Sequence, residues 1–559
     1  MNTSSTESGE RDTPLGELAA AMPSTGLAPE WPAWQQIVST IREEDKTPTV
    51  RLLLGVIKDL SQRIEALEAE VARLKGDKQK PRSNSKPSGL NKPLGPLPAR
   101  DGKRPGSEKR SKTEHLKIHR EVSVAPEDLP PGSTFLHRDS FVVQDLVIEV
   151  RNTCYLLETW QLPTGEQVRG QLPAGVRGHF GSGLIGFVLQ QHYAAHVSQP
   201  RIREALQDFG IDISSGQINN IVTENHAAFH AEKDALLPMG LQVSTYVNVD
   251  DSGAPHQGLY GSCLCISNEF FTSFHSSDTK DRNKFLDVLR CGHDDYVLDD
   301  TVWPYLEKQG LPAKVLQPLR DHAQHVFAST LAWNQHLDAL GITGEKHRQT
   351  ATEAALLGSA MSHGVSPTLG IISDGAPQYA LFVHALCWIH QERNLAKLVP
   401  NGIEQTQALE QVLTAVWLLY ADLKAYRAAP SPSQAEVLRA GFDALVGRPT
   451  CFPELSAALV RMAGKKVDLL RVLERPDIPL HTNTVERDFR DWATKRKISA
   501  GTRGESGKRC RDTFMSLKST CKKLGVRFWN YLQDRLLGAG KIPSLPNLVR
   551  EKATASATT

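Results

Sequence analysis

The chain has no unbroken apolar run near the roughly 18–20 residues that span a bilayer, and its start, MNTSSTESGERDTPLGE, has no apolar signal core. A soluble, cytoplasmic protein is expected. Paired cysteines are missing too: eight Cys occur among 559 residues with no CxxC anywhere, which excludes a disulfide framework and the common four-ligand zinc motifs. Strong net charge is also absent. The formal balance is +2, so any affinity for polyanions has to come from local clustering. What is present, 40% hydrophobic and 23% charged residues, is a globular balance, and the length implies about three or four domains.

Residues 1–47 are rich in Ser, Thr, Gly, Pro and acids, and read as a disordered leader. Over 48–76 the apolar residues Leu53, Ile57, Leu60, Ile64, Leu67, Val71 and Leu74 alternate steps of four and three between charged positions. That is a heptad seam, and it predicts a coiled-coil helix that associates the chain with itself through residues 53–74. Residues 77–113 are rich in Lys, Arg, Pro and Gly, which gives a flexible basic linker able to neutralise phosphates. Residues 114–178, with SFVVQDLVIEV and NTCYLLETWQL, read as a small β-rich module. The region 179–236 is helical: QPRIREALQDFGIDISSGQINNIVTEN gives a helix, a turn at Gly210, Ser214 and Ser215 as candidate caps, and a second helix from about Gln217. This is the spacing of a DNA-reading helix-turn-helix, and also of ordinary helical hairpins.

Beyond Leu241 the pattern alternates. STYVNVDDSG is a strand ending in two acids, GLYGSCLCIS and EFFTSFHSS complete a meander, and DRNKFLDVLR is a helix. PTLGIISDGAPQY is a short apolar strand ending on Asp374, and HTNTVERDFRDWATKRK starts a helix that carries Glu486 in its first turns. Three carboxylates on two strand ends and one helix suit two divalent cations that prefer hard oxygen ligands, and the reaction class expected of them is phosphoryl transfer. Strand alternation places Asn248 and Asp250 on one face and Val247 and Val249 on the other, which favours Asp250 over Asp251. Asp299 and Asp300 in DYVLDDTVW rival Asp374 for the second position.

VNVDDSGA, ISDGAPQY followed by ALCWIH, and HTNTVERDFRDWATKRKISAGTR together resemble the catalytic blocks of the insertion-sequence sixty-six family of bacterial DDE transposases, over about residues 45–537. The resemblance implies a multidomain α/β chain in which an RNase H-like catalytic domain, 237–537, carries a helical insertion at about 391–475, with a flexible tail at 538–559. It implies Asp250, Asp374 and Glu486 as catalytic and metal-binding residues, and two Mg²⁺ or Mn²⁺ ions as cofactors. Here Asp250 stands in Asp-Asp-Ser where the family has Asp-Glu-Thr. The activity implied is DNA cleavage at insertion-sequence ends followed by 3′-hydroxyl strand transfer. The alternatives are an inactive DNA-binding or regulatory relative, and an RNase H-like nuclease without strand transfer. Terminal-repeat and target DNA are the implied partners, with accessory transposition proteins as possible further ones and no membrane.

Basic residues cluster after Glu486, and Arg487, Arg490, Lys495, Arg496, Lys497, Arg503, Lys508 and Arg509 are the candidate phosphate contacts. Many relatives carry paired cysteines in the N-terminal module, whereas residues 114–180 contain only Cys154, so zinc is not expected there. Cys387 and His390 offer two zinc ligands, too few for a closed site. They read as a buried thiol and a hydrogen-bonded imidazole supporting the catalytic centre. For the heptad seam, replacing Leu60 and Leu67 with Glu is expected to give monomers at concentrations where the parent chain associates; unchanged mass by light scattering would count against the coiled coil.

Overall fold

The computed structural model describes residues 116–557 except 174, 175 and 177, so the leader, the coiled-coil helix and the basic linker lie outside the described residues. The chain divides into two compact units, 1–145 and 146–559; in the first, residues 116–145 contain no helix or strand. The second opens on a hairpin of β1 (Thr159–Gln161) and β2 (Gln167–Arg169), in which Trp160 faces Val168. The strands expected over 140–150 do not form, and the β-rich reading of 114–178 reduces to this one hairpin. Phe141, Val147 and Leu156 are exposed, so their alternating pattern finds no buried face among the described residues.

Four helices follow: α1 (Ser182–Leu189, prolonged by a π-turn to Ala194), α2 (Gln199–Asp208), α3 (Ser215–Thr223) and α4 (Ala227–Val243). The α2–α3 pair forms as the sequence chemistry dictates. Gly210 takes φ +81°, and the Ser214 hydroxyl accepts from Gln217 N at 3.1 Å, which satisfies an orphan donor of the first turn. Ile202 and Leu206 on α2 meet Ile218, Ile221 and Val222 on α3, each set at helical spacing and buried.

The centre of the unit is a five-stranded mixed sheet of β3 (Tyr246–Gly253), β4 (Ser262–Ser267), β5 (Thr272–Ser277), β8 (Gly370–Ser373) and β9 (Val383–Leu386), in the order β5-β4-β3-β8-β9. The first three strands form an antiparallel meander, and β8 and β9 join parallel to β3. Between β5 and β8 the chain inserts α5 (Arg282–Leu289), β6 (Tyr296–Val297), α6 (Trp303–Lys308), α7 (Ala313–Asp321), β7 (Val326–Phe327), α8 (Thr330–Ala339) and α9 (Glu345–Ser362). Here α9 lies so close to β6 that a Cβ on Gly358 would stand 2.2 Å from the Val297 carbonyl oxygen. After β9 come α10 (Trp388–Ala396) and a second helical excursion, α11 (Ile403–Ala428), α12 (Pro432–Val446), α13 (Pro453–Ala463) and α14 (Lys466–Leu469), which has its own core around Val416, Leu423, Phe442 and Leu455. The chain then returns to the sheet as α15 (Asn483–Ser499) and α16 (Glu505–Leu524), followed by α17 (Phe528–Leu537) and α18 (Leu545–Ala557).

Sheet parity assigns the two faces. Val247, Val249, Ile266 and Ile371 enter the main core, whereas Cys263, Cys265 and Phe274 pack against Val485, Phe489 and Trp492 of α15 and Met515 of α16. Among the described residues no helix is long and apolar enough to cross a membrane.

The end of the chain corrects an expectation. Residues 538–559 were expected to form a flexible tail, but Leu545, Val549 and Ala553 make a buried stripe at i, i+4 and i+8, and Leu545 N donates to Glu232 Oε1 at 2.7 Å. Glu232 on α4 also accepts from Tyr531 and Arg535 of α17, so one partly buried carboxylate ties three helices. Leu545→Ala is therefore expected to cost about 2–4 kcal/mol, as for other buried Leu truncations, while Asn547→Ala on the exposed side stays neutral. Thermal denaturation checks this, and equal midpoints for the two variants would mean that the helix is not docked.

Candidate active site

Asp250 and Asp374 stand level on neighbouring strands. In the parallel pairing of β3 with β8, Asn248 faces Ile372, and two residues further along each strand are Asp250 and Asp374, on the same side of the sheet. Asp250 also lies directly opposite Cys265 on β4, and Cys265 packs against α15, so the Asp250 side chain belongs to the α15 face. Its Oδ1 accepts from Asp251 N at 2.8 Å. Burial first, and then the carboxylates of Asp374 and Asp251, push the Asp250 carboxyl up to about 7 against that backbone bond. Asp374 follows the last residue of β8; its Oδ1 accepts from Ala376 N at 3.0 Å across a turn in which Gly375 takes φ +107°.

Asp251 is the adjacent acid with a different task. It projects to the opposite face, where its carboxylate accepts from Tyr379 OH at 2.7 Å and Gln378 Nε2 at 3.2 Å, and Lys280 Nζ lies 3.5 Å away. Its charge is already matched. Asp299, the rival for the second carboxylate, accepts from Thr301 N at 3.0 Å and caps the turn before α6 in the first insertion, off the sheet.

Glu486 lies in the first turn of α15, where buried Val485 beside it fixes the helix on the sheet. Its carboxylate meets a basic group from α10 and from its own helix: His390 Nε2 at 3.9 Å, Arg393 Nη1 at 3.5 Å and Arg490 Nη2 at 3.9 Å. His390 feels both Glu486 and Asp374; these charges and the neighbouring Cys387, which contributes most, raise its imidazole pKa above the usual value. The three carboxylates therefore share one face with His390 among them, although the three are not all within 4.8 Å of one another. Arg393 escaped the sequence reading. Its signal was its place one helical turn after His390 on α10.

The basic candidates divide into two groups. Arg487, Arg490, Lys497, Arg503 and Arg509 are exposed, Arg509 with Asp234 at 3.2 Å. Lys495 is a correction: it is wholly buried, its Nζ donating to His192 O at 2.6 Å, because Val485, Phe489, Trp492 and Lys495 form the inward stripe of α15. Burial, then Arg511 and Lys518, lower its pKa to about 7. Arg496 is half-buried, stacks over Trp492 at 5.5 Å and donates to the Gly253 carbonyl, so it braces the end of β3. Lys508 pairs with Glu505 at 2.9 Å.

A family model described as "Transposase IS66 family" matches residues 345–509, the segment that holds Asp374, Cys387, His390 and Glu486. That places the chain among transposases. An uncharacterized protein of Sinorhizobium fredii, y4jO, is 39% identical over 321 residues, which are 57% of this chain and 100% of that protein. The chain belongs to the IS66 transposase family.

The raised Asp250 pKa sets a stability dependence. The native state holds a proton on Asp250 that the unfolded chain releases near the ordinary aspartate value of 3.8, so stability falls as pH rises from about 4 through about 7. Asp250→Asn removes that penalty. In metal-free protein it is expected to stabilise by on the order of 2 kcal/mol at pH 8, and the gain should vanish near pH 4. A pH-independent effect on the denaturation midpoint would contradict the raised value.

Proposed function

We propose that this transposase is a metal-dependent enzyme of RNase H-like fold that cleaves DNA at the ends of its element and transfers the freed 3′-hydroxyls into target DNA. The observation that carries the reading is the pair of level, partly buried carboxylates, Asp250 within β3 and Asp374 just past β8, facing the helix that supplies Glu486. The strand order β5-β4-β3-β8-β9, with an antiparallel meander followed by two parallel strands, supports the RNase H-like assignment.

The donor set fits divalent magnesium or manganese. Its three proposed ligands are carboxylates, and burial together with the neighbouring Asp374 and Asp251 charges raises the Asp250 carboxyl to about 7, a cost that a bound cation would relieve. Asp250, Asp374 and Glu486 would hold the ions. When bound, two such ions lower the pKa of the attacking water or hydroxyl and stabilise the departing oxygen.

The residues of the chain position the rest. The rigid strands fix two carboxylates, which is the preorganisation that phosphoryl transfer requires. In cleavage, a water oxygen bonds to phosphorus and the bond from phosphorus to the 3′-oxygen of the element end breaks. In transfer, that 3′-oxygen bonds to a target phosphorus and the corresponding target 3′-oxygen departs; in both steps the nucleophile loses its proton to solvent and the departing 3′-oxygen takes one up as a hydroxyl. Exposed Arg487, Arg490, Lys497 and Arg503 on and after α15 would hold phosphates near this centre, and α2–α3 would meet the terminal repeat. Self-association through 53–74 would bring two ends together.

Asp374→Ala and Glu486→Gln are each expected to reduce Mg²⁺-dependent cleavage of a terminal-repeat duplex by on the order of a thousandfold, while gel-shift binding of the duplex persists. Full activity in either variant would overturn the assignment. Cleavage without joined products would leave a nuclease and remove strand transfer.

A further inference from the structure

Three metal-ligating atoms of different character converge beside the carboxylate pair. A ligand atom from each of Cys387, His390 and Glu486 lies within 4.8 Å of the other two, and His390 Nε2 is 3.9 Å from Glu486 Oε1. Their supports are rigid. Cys387 is fully buried, its N donates to Ser373 O at 3.0 Å, and its Sγ accepts from Thr482 N at 3.4 Å, just before the helix that carries Glu486. The neighbouring Trp388 is buried too, with its N bonded to Leu480 O at 3.0 Å and its indole Nε1 to Leu469 O at 2.8 Å. That clamp fixes the first turn of α10, from which His390 projects. His390 Nδ1 is buried and makes no hydrogen bond of good geometry among the described residues, while the ring interacts with the neighbouring Cys387 thiol, so thiol and imidazole already face each other.

Thiolate and imidazole are poor ligands for Mg²⁺, which selects hard oxygens, and good ones for Zn²⁺ and Co²⁺. Three protein donors with a fourth position open is the stoichiometry of zinc sites that keep an exchangeable ligand. The sequence alone offered only Cys387 and His390; α15 brings the third donor. Arg393 and Arg490 now pair with Glu486, but their side chains are 46% and 74% exposed and can leave into solvent.

We propose that Cys387, His390 and Glu486 form a binding site for a thiophilic divalent cation, zinc foremost, which shares Glu486 with the catalytic centre. Binding releases the thiol proton and orients Glu486 toward sulphur and nitrogen, away from Asp250 and Asp374. Zinc is then an inhibitor of Mg²⁺-dependent cleavage. This consequence rests on the catalytic reading above, whereas the binding itself does not.

The test is a cobalt titration of the full-length, metal-free protein, followed by absorption. A thiolate-to-cobalt charge-transfer band saturating at one ion per chain and bleached by zinc is expected. Cys387→Ser and Cys387→Ala should both lose the band with unchanged circular dichroism, and His390→Ala and Glu486→Gln should weaken cobalt binding at least about tenfold. Replacing the exposed Cys154 and Cys451 by Ser should leave it intact. No band in the folded parent, or a band that survives loss of the Cys387 thiol, overturns the site. A parent protein that binds cobalt and cleaves DNA with Mg²⁺ but is not slowed by zinc overturns the sharing of Glu486. Absence of Mg²⁺-dependent cleavage would sink the catalytic reading instead, and the cobalt band would still decide the site.

Discussion

Two carboxylates of like charge, held level by adjacent parallel strands, are the constraint to which the rest of the structure answers. Such a pair opposes folding: a partly buried carboxylate beside another loses hydration and gains repulsion, and the rise of Asp250 to about 7 records that cost. The arrangement persists because the strands bearing it are over-determined. Val247, Val249, Ile371 and Ile372 are fully buried, and both strands lie inside the sheet, so register cannot slip without turning a whole apolar face outward. The strict alternation of β3 also sorts its two acids. Asp250 meets Asp374 with one backbone N–H and the nearby His390 to offset it, while Asp251 meets a tyrosine, an amide and a lysine on the other side.

The same sheet face explains why so much positive charge near the site points inward. Between α15, α16 and the sheet, Lys523 pairs with Asp488 at 2.7 Å and also donates to the carbonyls of Asn268 and Phe271. Lys518 and His196 share Asp491, and the buried carboxylate of Asp512 accepts from both Ser276 N and its hydroxyl. Each pairing satisfies a charge that would be expensive to leave alone in the interior, and each is lost if the helix moves. These links orient α15, and α15 orients Glu486. Basic residues in this stretch thus divide between bracing the helix and facing solvent, and only the second group is available to a phosphate backbone.

Local chemistry was legible in the sequence. The α2–α3 hairpin follows from Gly210, the Ser214 hydroxyl and two apolar stripes, all short-range signals, and the three strands of the meander follow from period-two alternation. The candidate carboxylates were legible for the same reason, since strand ends and helix starts are local features. Tertiary partners were not. Lys495 reads as one more basic residue until Phe489 and Trp492 show which stripe of α15 is inward, and the 538–559 segment reads as polar tail because Leu545, Val549 and Ala553 are only three apolar positions whose partner, α4, lies far back in the chain. The reverse failure occurs over 140–150, where alternation is present but no strand pairs with it. Of the insertion between β5 and β8 only its first helix, in DRNKFLDVLR, was read from the sequence.

The second helical excursion shows how such a chain can carry large additions without disturbing the centre. It leaves the sheet after Cys387 and returns at Thr482, and those two residues touch: Thr482 N donates to Cys387 Sγ, while Trp388 N donates to Leu480 O. Departure and return are stapled together, and the helices between them have a separate core. Loop-closure entropy rises only slowly with the length enclosed, so this excursion can grow or shrink at small thermodynamic cost while the staple holds. Position is another matter. Asp250 and Asp374 are fixed by strand register alone, but Glu486 begins four residues after the staple, on the helix it leads into. The third carboxylate is therefore the one member of the site whose placement depends on how the excursion closes, and any force the excursion transmits to its own base reaches Glu486 before it reaches the two aspartates.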